Sequence, residues 1–335
     1  MQGIILASGR GERFWPLTEY TPKPLLPLVN LPLLEHLLSA LSEAGCTEIY
    51  VSIGYAADQM HDFLSTIELP SAITPVVAED WEYGPFASFQ AIIPYLSTDE
   101  PFILVPADLY VSPQNLQLLI SSPSPMAMLF DPQKKQSGSQ VKLNRSNQIT
   151  ELFQSKAILP EAFPNLPALR AMPKFLDQPL PEGPNISYTV FTMLQHWLAE
   201  GGDIQGIPIT TTAWADIDTP HELVRLNHYL LTDGWPPYQR PPGRFIPAGQ
   251  SLEGPLDTAN LILGRHSQIQ GPVLFGAHVQ VGENCLIRDG STLGGNTVIQ
   301  SNSELAQCIT LPHTRVPSNV DLRAAVLDAH GSIRH

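Results

Sequence analysis

Residues 6–28, LASGRGERFWPLTEYTPKPLLPL, hold the densest group of side chains and glycines that could do chemistry. Gly9 and Gly11 sit in a turn just after the apolar run GIILA at residues 3–7. Glycine leaves no Cβ in the way, so backbone N–H groups there can approach phosphate oxygens. Arg13 offers a planar guanidinium that can fork across two such oxygens. Lys23 offers a compact point charge, and Pro22 and Pro24 on either side limit its backbone freedom. Arg13 and Lys23 are the candidate catalytic cations, and the chemistry they suit is the handling of a polyphosphate.

The charge of the rest of the chain narrows the ligand. The 335 residues carry a formal net charge of −14. That excludes nucleic acid as an expected partner, because binding its backbone takes a basic face. Residues 1–30 run the other way, with Arg10, Arg13 and Lys23 against Glu12 and Glu19. A small anion finds its best local field there. A hydrophobic share of 43% against 15% charged supplies a sizeable core and excludes a disordered chain. Cys46, Cys285 and Cys308 lack metal spacing and read as buried, reduced thiols. No secretory leader pattern precedes the first strand, and no apolar run reaches about 18 residues. The expectation is a cytoplasmic protein with no membrane partner.

The loop needs elements to hold it. Residues 3–7 read as a buried strand, 31–44 as a helix with proline in its first turn, and 48–53 as a strand. Residues 56–65 read as helix, 72–77 as strand, 85–96 as helix and 102–106 as strand. Such alternation predicts an α/β, Rossmann-like, mostly parallel sheet with helices on both faces. Ligands of such sheets lie beyond the carboxyl ends of the strands, where Ser8 and the residues after Pro106 fall. Residues 130–185 look irregular, and prolines cluster from Pro160 to Pro184, which predicts an insertion or lid. Lys134 and Lys135 within it read as a solvated loop pair. Helical and strand patterns return at 188–198 and 212–217.

The C-terminal part repeats. Leu263, Ile269, Phe275, Val281, Ile287, Leu293, Ile299, Leu305 and Leu311 recur every six residues without a miss. Small or β-branched residues follow four positions later, as at Ser267, Cys285, Thr297 and Ser303. Period six is neither helical nor simple strand alternation. It fits a triangular β-helix in which each hexad makes one face and one corner, with the recurring residue pointing inward. This resembles the left-handed hexapeptide-repeat family. The expected organisation is a nucleotide-handling domain at 1–232, a proline-rich linker at 233–250 and the repeat domain at 251–335. His266, His278 and His313 read as exposed structural residues of the repeat, whose flat faces suit contacts in a homo-oligomer.

The N-terminal motif runs Leu6-Ala7-Ser8-Gly9-Arg10-Gly11-Glu12-Arg13-Phe14-Trp15-Pro16-Leu17-Thr18, then Pro22-Lys23-Pro24-Leu25-Leu26-Pro27. It resembles the signature of the sugar-phosphate nucleotidyltransferase (pyrophosphorylase) family. Its Glu-Arg-Phe-Trp-Pro form is similar to that of mannose-1-phosphate guanylyltransferases. Branches of that family also carry a hexapeptide-repeat tail. The resemblance implies an enzyme that joins a nucleoside triphosphate to a sugar 1-phosphate and releases pyrophosphate, GTP and mannose 1-phosphate being the nearest pair. It assigns nucleotide contacts to Leu6, Ala7, Ser8, Gly9, Gly11, Glu79, Gly84 and Asp108. It implies Mg2+ held by Asp108, after the strand FILVP, and by Asp216, in Trp214-Ala215-Asp216-Ile217-Asp218-Thr219-Pro220. Lys156 and Asn185 fall to the acceptor side. For Glu79 there is a chemical reason to favour guanine: a carboxylate only accepts, and guanine presents two adjacent donors.

The sequence departs from the family pattern at several places. Ala107 replaces a glycine before Asp108, and Asp218 replaces a glycine after Asp216. The base-binding turn is Gly84-Pro85-Phe86-Ala87, followed by Ser88, which is a little like the choline-phosphate cytidylyltransferase branch. Ser155 stands where the family places its acceptor lysine, with Lys156 one residue late, a shift that turns a side chain to the opposite face of a strand. Asn185-Ile186-Ser187 replaces Asn-x-Gly. These changes collect on the acceptor side and spare the triphosphate loop. They leave three readings: a sugar-phosphate enzyme, an enzyme for a non-sugar phosphate, or a non-catalytic nucleotide or NDP-sugar sensor.

Overall fold

The computed structural model describes residues 1–177, 189–210, 214–233 and 243–334. It separates into two compact units. One holds residues 1–10 and 34–216, the other 11–33 and 217–335.

The first unit is built on β1 (Gln2–Leu6), β2 (Glu48–Ile53), β3 (Ala72–Val77) and β4 (Phe102–Pro106). They lie parallel in the order β4-β1-β2-β3. The chain lays β2 and β3 on one side of β1 and later returns to place β4 on the other. That makes β1 the switch point at which open α/β sheets bind ligands. Helices α1 (Leu33–Ala44), α2 (Ala57–Ser65) and α3 (Pro85–Ile92) connect these strands. Ile4 and Ile5, on opposite faces of β1, are both fully buried, so helices cover both faces. The expected helix from residue 85 ends early, because Pro94 cannot continue it and residues 93–95 form a tighter turn.

After β4 come β5 (Leu109–Val111) and α4 (Pro113–Ile120). The described part of the segment expected to be an irregular insertion is instead largely sheet. It begins with β6 (Ala127–Phe130), β7 (Gly138–Leu143), β8 (Ile149–Ser155) and β9 (Phe163–Ala171). β9 runs antiparallel to β4, β6 and β7, and β7 runs antiparallel to β8. Prolines hid this from the sequence. Both Pro164 and Pro167 lie inside β9; Pro164 pairs with Gln140, and Pro167 falls where the ladder shifts register between Asn165 and Leu169. A register shift is where a strand tolerates a residue with no N–H to donate. Then come α5 (Val190–Ala199), β10 (Gln205–Pro208) and β11 (Trp214–Asp216). β10 pairs parallel to β6, and β11 pairs antiparallel to β5.

The second unit carries the repeat. All nine recurring hexad residues are buried, none more than 4% exposed. They line the inside of three strand ladders, one of which stacks Gln268–Gln270, Leu286–Arg288, Glu304–Ala306 and Asp321–Arg323 in parallel. Partners such as Ile269, Ile287 and Leu305 are three hexads apart, so each coil takes one hexad per face. Corners need a left-handed residue, and Asn, Asp and His adopt that conformation more readily than most. His266, Asn284, Asn302 and Asn319 occupy one corner, with His278, Asn296 and His313 on another, all at positive φ. The three histidines are thus exposed corner residues. Antiparallel strands cover all three ladders at the first end and one of them at the last. Arg244–Ile246, Ser251–Glu253 and Leu256–Asp257 cover the first coil, and Ile333–Arg334 lies on Val326–Leu327. Covered ladder ends leave fewer open edges at which a solenoid would otherwise aggregate.

Helix α6 (Pro220–Asp233) packs on this solenoid. Buried Asn227 joins three segments. Its Oδ1 accepts the Val29 N–H and the Thr292 hydroxyl, each at 3.0 Å, and its Nδ2 donates to the Gly290 carbonyl at 3.0 Å. Among the described residues, no helix is long and apolar enough to cross a membrane.

Candidate active site

In the first unit the loops beyond the strand ends are tied together by backbone. Ala107 N–H donates to the Leu6 carbonyl at 3.0 Å, and Ala7 N–H donates to that of Ser52 at 3.2 Å. Tyr55 N–H donates to the Ser8 carbonyl at 2.9 Å, and Ala78 N–H to that of Ile53 at 2.8 Å. The strand ladders therefore continue one step past the sheet before the loops diverge. Ser8 is buried, and its hydroxyl forms a very short hydrogen bond with that of Ser88 on α3. The departure at Ser88 thus has a structural consequence: α3 clamps the start of the glycine loop. Gly9 is exposed, and the Arg10 guanidinium lies 5.6 Å from the Tyr55 ring centroid. Glu79 is exposed just after β3, and Gly84 starts α3 with φ +103°, a value that suits glycine.

The two candidate metal ligands meet in this unit. Asp108 occupies the turn between β4 and β5. Antiparallel pairing sets Leu109 opposite Asp216 on β11. Carboxylate oxygens of Asp108 and Asp216 consequently lie within 4.8 Å of each other. Both residues are half-buried. Like charges this close repel unless a cation lies between them, and an all-oxygen donor set with room for phosphate is what Mg2+ prefers. The pair fits that ion.

The second unit holds the two cations. Gly11 has φ +67°, and a Cβ there would stand 2.7 Å from the Lys23 Cβ. Glycine at this position therefore serves both the turn and the approach of Lys23. The Thr18 hydroxyl donates to the Gly11 carbonyl at 3.1 Å and closes the loop. Lys23 Nζ lies 5.4 Å from the Phe14 ring centroid. Arg13 and Lys23 converge on one carboxylate oxygen, Asp218 Oδ1, at 2.6 Å and 3.9 Å.

Asp218 was not among the candidate site residues, yet the sequence carried a clue to its place. Thr219-Pro220-His221-Glu222 reads as a capping box with proline at the first helical position. In the structure Glu222 accepts the N–H groups of Asp218 and Thr219 at 2.8 and 2.9 Å, and its own N–H donates to the Thr219 hydroxyl at 3.3 Å. The cap of α6 thereby holds Asp218 against the two cations.

Lys156 is exposed past the end of β8, in a turn where the Ser155 hydroxyl accepts the Ala157 N–H at 3.0 Å. Asn185 lies outside the described residues.

Comparison with known proteins identifies the framework. The family model for the MobA-like NTP transferase domain matches residues 3–199, more than half of the chain. A probable mannose-1-phosphate guanylyltransferase 3 of Oryza sativa subsp. japonica is 22% identical over 99% of this chain and 87% of its own length. An N-acetylmuramate alpha-1-phosphate uridylyltransferase of Neisseria meningitidis serogroup B is 37% identical, over 32% of this chain and 47% of its own length. Among solved structures, a putative glucose-1-phosphate thymidylyltransferase from Bacillus anthracis superposes with a TM-score of 0.58 at 20% identity, over 68% of this chain and 94% of that one. The last likeness concerns the fold alone. Together with the switch-point loops and the strand-end carboxylates, the family match leads to one statement: this chain is a nucleotidyltransferase and belongs to the MobA-like NTP transferase domain family.

Proposed function

We propose that the chain joins a nucleoside triphosphate to a sugar 1-phosphate, giving an NDP-sugar and pyrophosphate, with GTP and mannose 1-phosphate as the pair. The observation that carries this reading is the register that brings Asp108 and Asp216 together at the strand ends. The full-length likeness to a rice protein described as a guanylyltransferase supports the choice of substrates.

The reaction is an in-line displacement: a sugar-phosphate oxygen bonds to the α-phosphorus as the bond to the pyrophosphate oxygen breaks. Positioning and charge neutralisation supply most of the acceleration in such transfers. Asp108 and Asp216 would hold Mg2+, which when bound neutralises phosphate charge. Arg13 and Lys23 are assigned to the triphosphate, with the backbone from Leu6 to Gly11 as its cradle. Glu79 is assigned to the guanine donors, and Gly84 to the base-binding turn. Lys156 and Asn185 are assigned to the acceptor by sequence pattern alone. The functional division into 1–232, 233–250 and 251–335, a cytoplasmic setting and self-association through the flat solenoid faces belong to the same proposal.

A second reading, a nucleotide-binding regulator, draws on Asp218, which already offsets part of the charge of the two cations. Pyrophosphate release separates the two. The purified protein, given each of four triphosphates with a panel of sugar 1-phosphates and Mg2+, is expected to respond best to GTP with mannose 1-phosphate. Nucleotide binding without pyrophosphate release from any pair would favour the regulator.

A further inference from the structure

A sugar 1-phosphate is a monoester carrying close to two negative charges, and it must approach an α-phosphorus that is itself anionic. The transfer therefore needs a cation on the acceptor side in addition to those assigned to the triphosphate. Ser155 and the exposed Lys156 do not provide a fixed one. The loop pair Lys134 and Lys135, which reads from the sequence as solvated, is not simply solvated. Lys135 lies over the Phe163 ring, 4.9 Å from its centroid, and its Nζ donates to the Ala162 carbonyl at 3.4 Å. Lys134 turns to Trp214 instead, with Nζ 4.1 Å from the ring centroid.

This contact is built from both sides by one buried residue. Asp131 is 2% exposed. Its Oδ1 accepts the N–H groups of Gln133 and Lys134 at 2.9 and 3.0 Å, which shapes the turn that carries Lys134. Its Oδ2 accepts Trp214 Nε1–H at 2.7 Å, which fixes the ring under the ammonium. Trp214 and Asp216 stand two residues apart on β11, so their side chains share one face about 7 Å apart along the strand. A half-buried ammonium is thereby set on the face of the strand that carries a candidate metal carboxylate.

We propose that Lys134 binds the phosphate of the acceptor and so sets the acceptor KM, a role the family pattern would assign to the residue at Ser155. The proposal rests on the nucleotidyl-transfer reading above. A phosphomonoester drawn to Lys134 has its oxygens held beside the strand where the attack takes place. The aromatic face, itself fixed by Asp131, holds the ammonium in position.

Steady-state kinetics with GTP, mannose 1-phosphate and Mg2+ test this. Lys134→Met keeps an unbranched apolar stem on the ring and removes the charge. It is expected to raise KM for mannose 1-phosphate about tenfold or more, with KM for GTP changed less than about twofold. Lys134→Arg is expected to recover most of the loss, since it keeps the charge; a purely packing role would not follow charge. Lys135→Met, whose ammonium lies over Phe163 instead, is expected to leave both constants near wild type. If Lys134→Met does not fold, Lys134→Gln serves the same comparison, with the melting midpoint recorded for each variant. An active wild type whose acceptor KM is unchanged in Lys134→Met, or in which both KM values rise together, overturns the Lys134 assignment alone. A wild type that releases no pyrophosphate with any triphosphate and sugar 1-phosphate pair overturns the functional reading, and this assignment with it.

Discussion

Asp218 lies against both Arg13 and Lys23, the cations proposed to meet an incoming phosphate. It stands where the resembling family has glycine, and both cations already lean on it. The Arg13 side chain is 65% exposed and that of Asp218 43% exposed, so solvent screens much of their attraction. Exposed pairs are worth about 0–1 kcal/mol. Asp218→Gly is accordingly expected to lower KM for GTP by up to about fivefold, measured by pyrophosphate release. An increase in KM would show that Asp218 helps to hold the nucleotide complex. Asp108→Asn is expected to do the opposite kind of damage. It removes one charge from the strand-end pair without changing shape, so turnover should fall about 100-fold or more while the melting midpoint holds. Wild-type rates in that variant would remove Asp108 from the metal site. At this scale the sequence reveals charges but not their distances. Arg13 and Lys23 are legible as cations in a glycine loop, whereas their shared counter-ion, 195 positions after Lys23, is not.

At the scale of elements, α6 depends on one amide. Asn227 is 1% exposed and satisfies Val29, Gly290 and Thr292. Removing it strands a buried N–H and a buried carbonyl, each costing about 1–3 kcal/mol. Asn227→Leu is therefore expected to lower unfolding free energy by about 3 kcal/mol, read as a lower denaturant midpoint at unchanged slope. A loss under about 1 kcal/mol would mean that water replaces the amide. The solenoid coils were legible because their period is local. Each hexad repeats the same inward residue, and the corner conformation selects Asn, Asp and His. β9 was not legible, because Pro164 and Pro167 read as loop residues and only the paired strands reveal the register shift that admits Pro167.

Across the whole molecule the cysteines act as buried reporters, one in the first unit and two in the second. Cys46, Cys285 and Cys308 are 3%, 2% and 0% exposed. Burial pushes the Cys46 thiol up to about 12 and the Cys308 thiol up to about 11. A raised thiol pKa means less thiolate at a given pH, so at pH 8 both are protonated as well as shielded. Ellman's reagent at pH 8 is expected to react slowly with the native protein and to titrate all three thiols in denaturant. Fast reaction of any thiol in the native state would show that its unit opens locally. The net charge of −14 belongs to this scale too, and the cation-rich first thirty residues stand out against it.

The sequence by itself determined the alternation of strands and helices, the six-residue period and the glycine loop with its two cations. These are local patterns, set by side-chain periodicity and by the steric freedom of glycine. Tertiary structure alone decided which distant residues meet. The β5–β11 register joins Asp108 to Asp216, the cap of α6 brings Asp218 to Arg13 and Lys23, and a buried carboxylate at Asp131 aims Lys134 at Trp214. Each of these contacts depends on strand pairing or packing between segments far apart in the chain, and no spacing along the sequence encodes that.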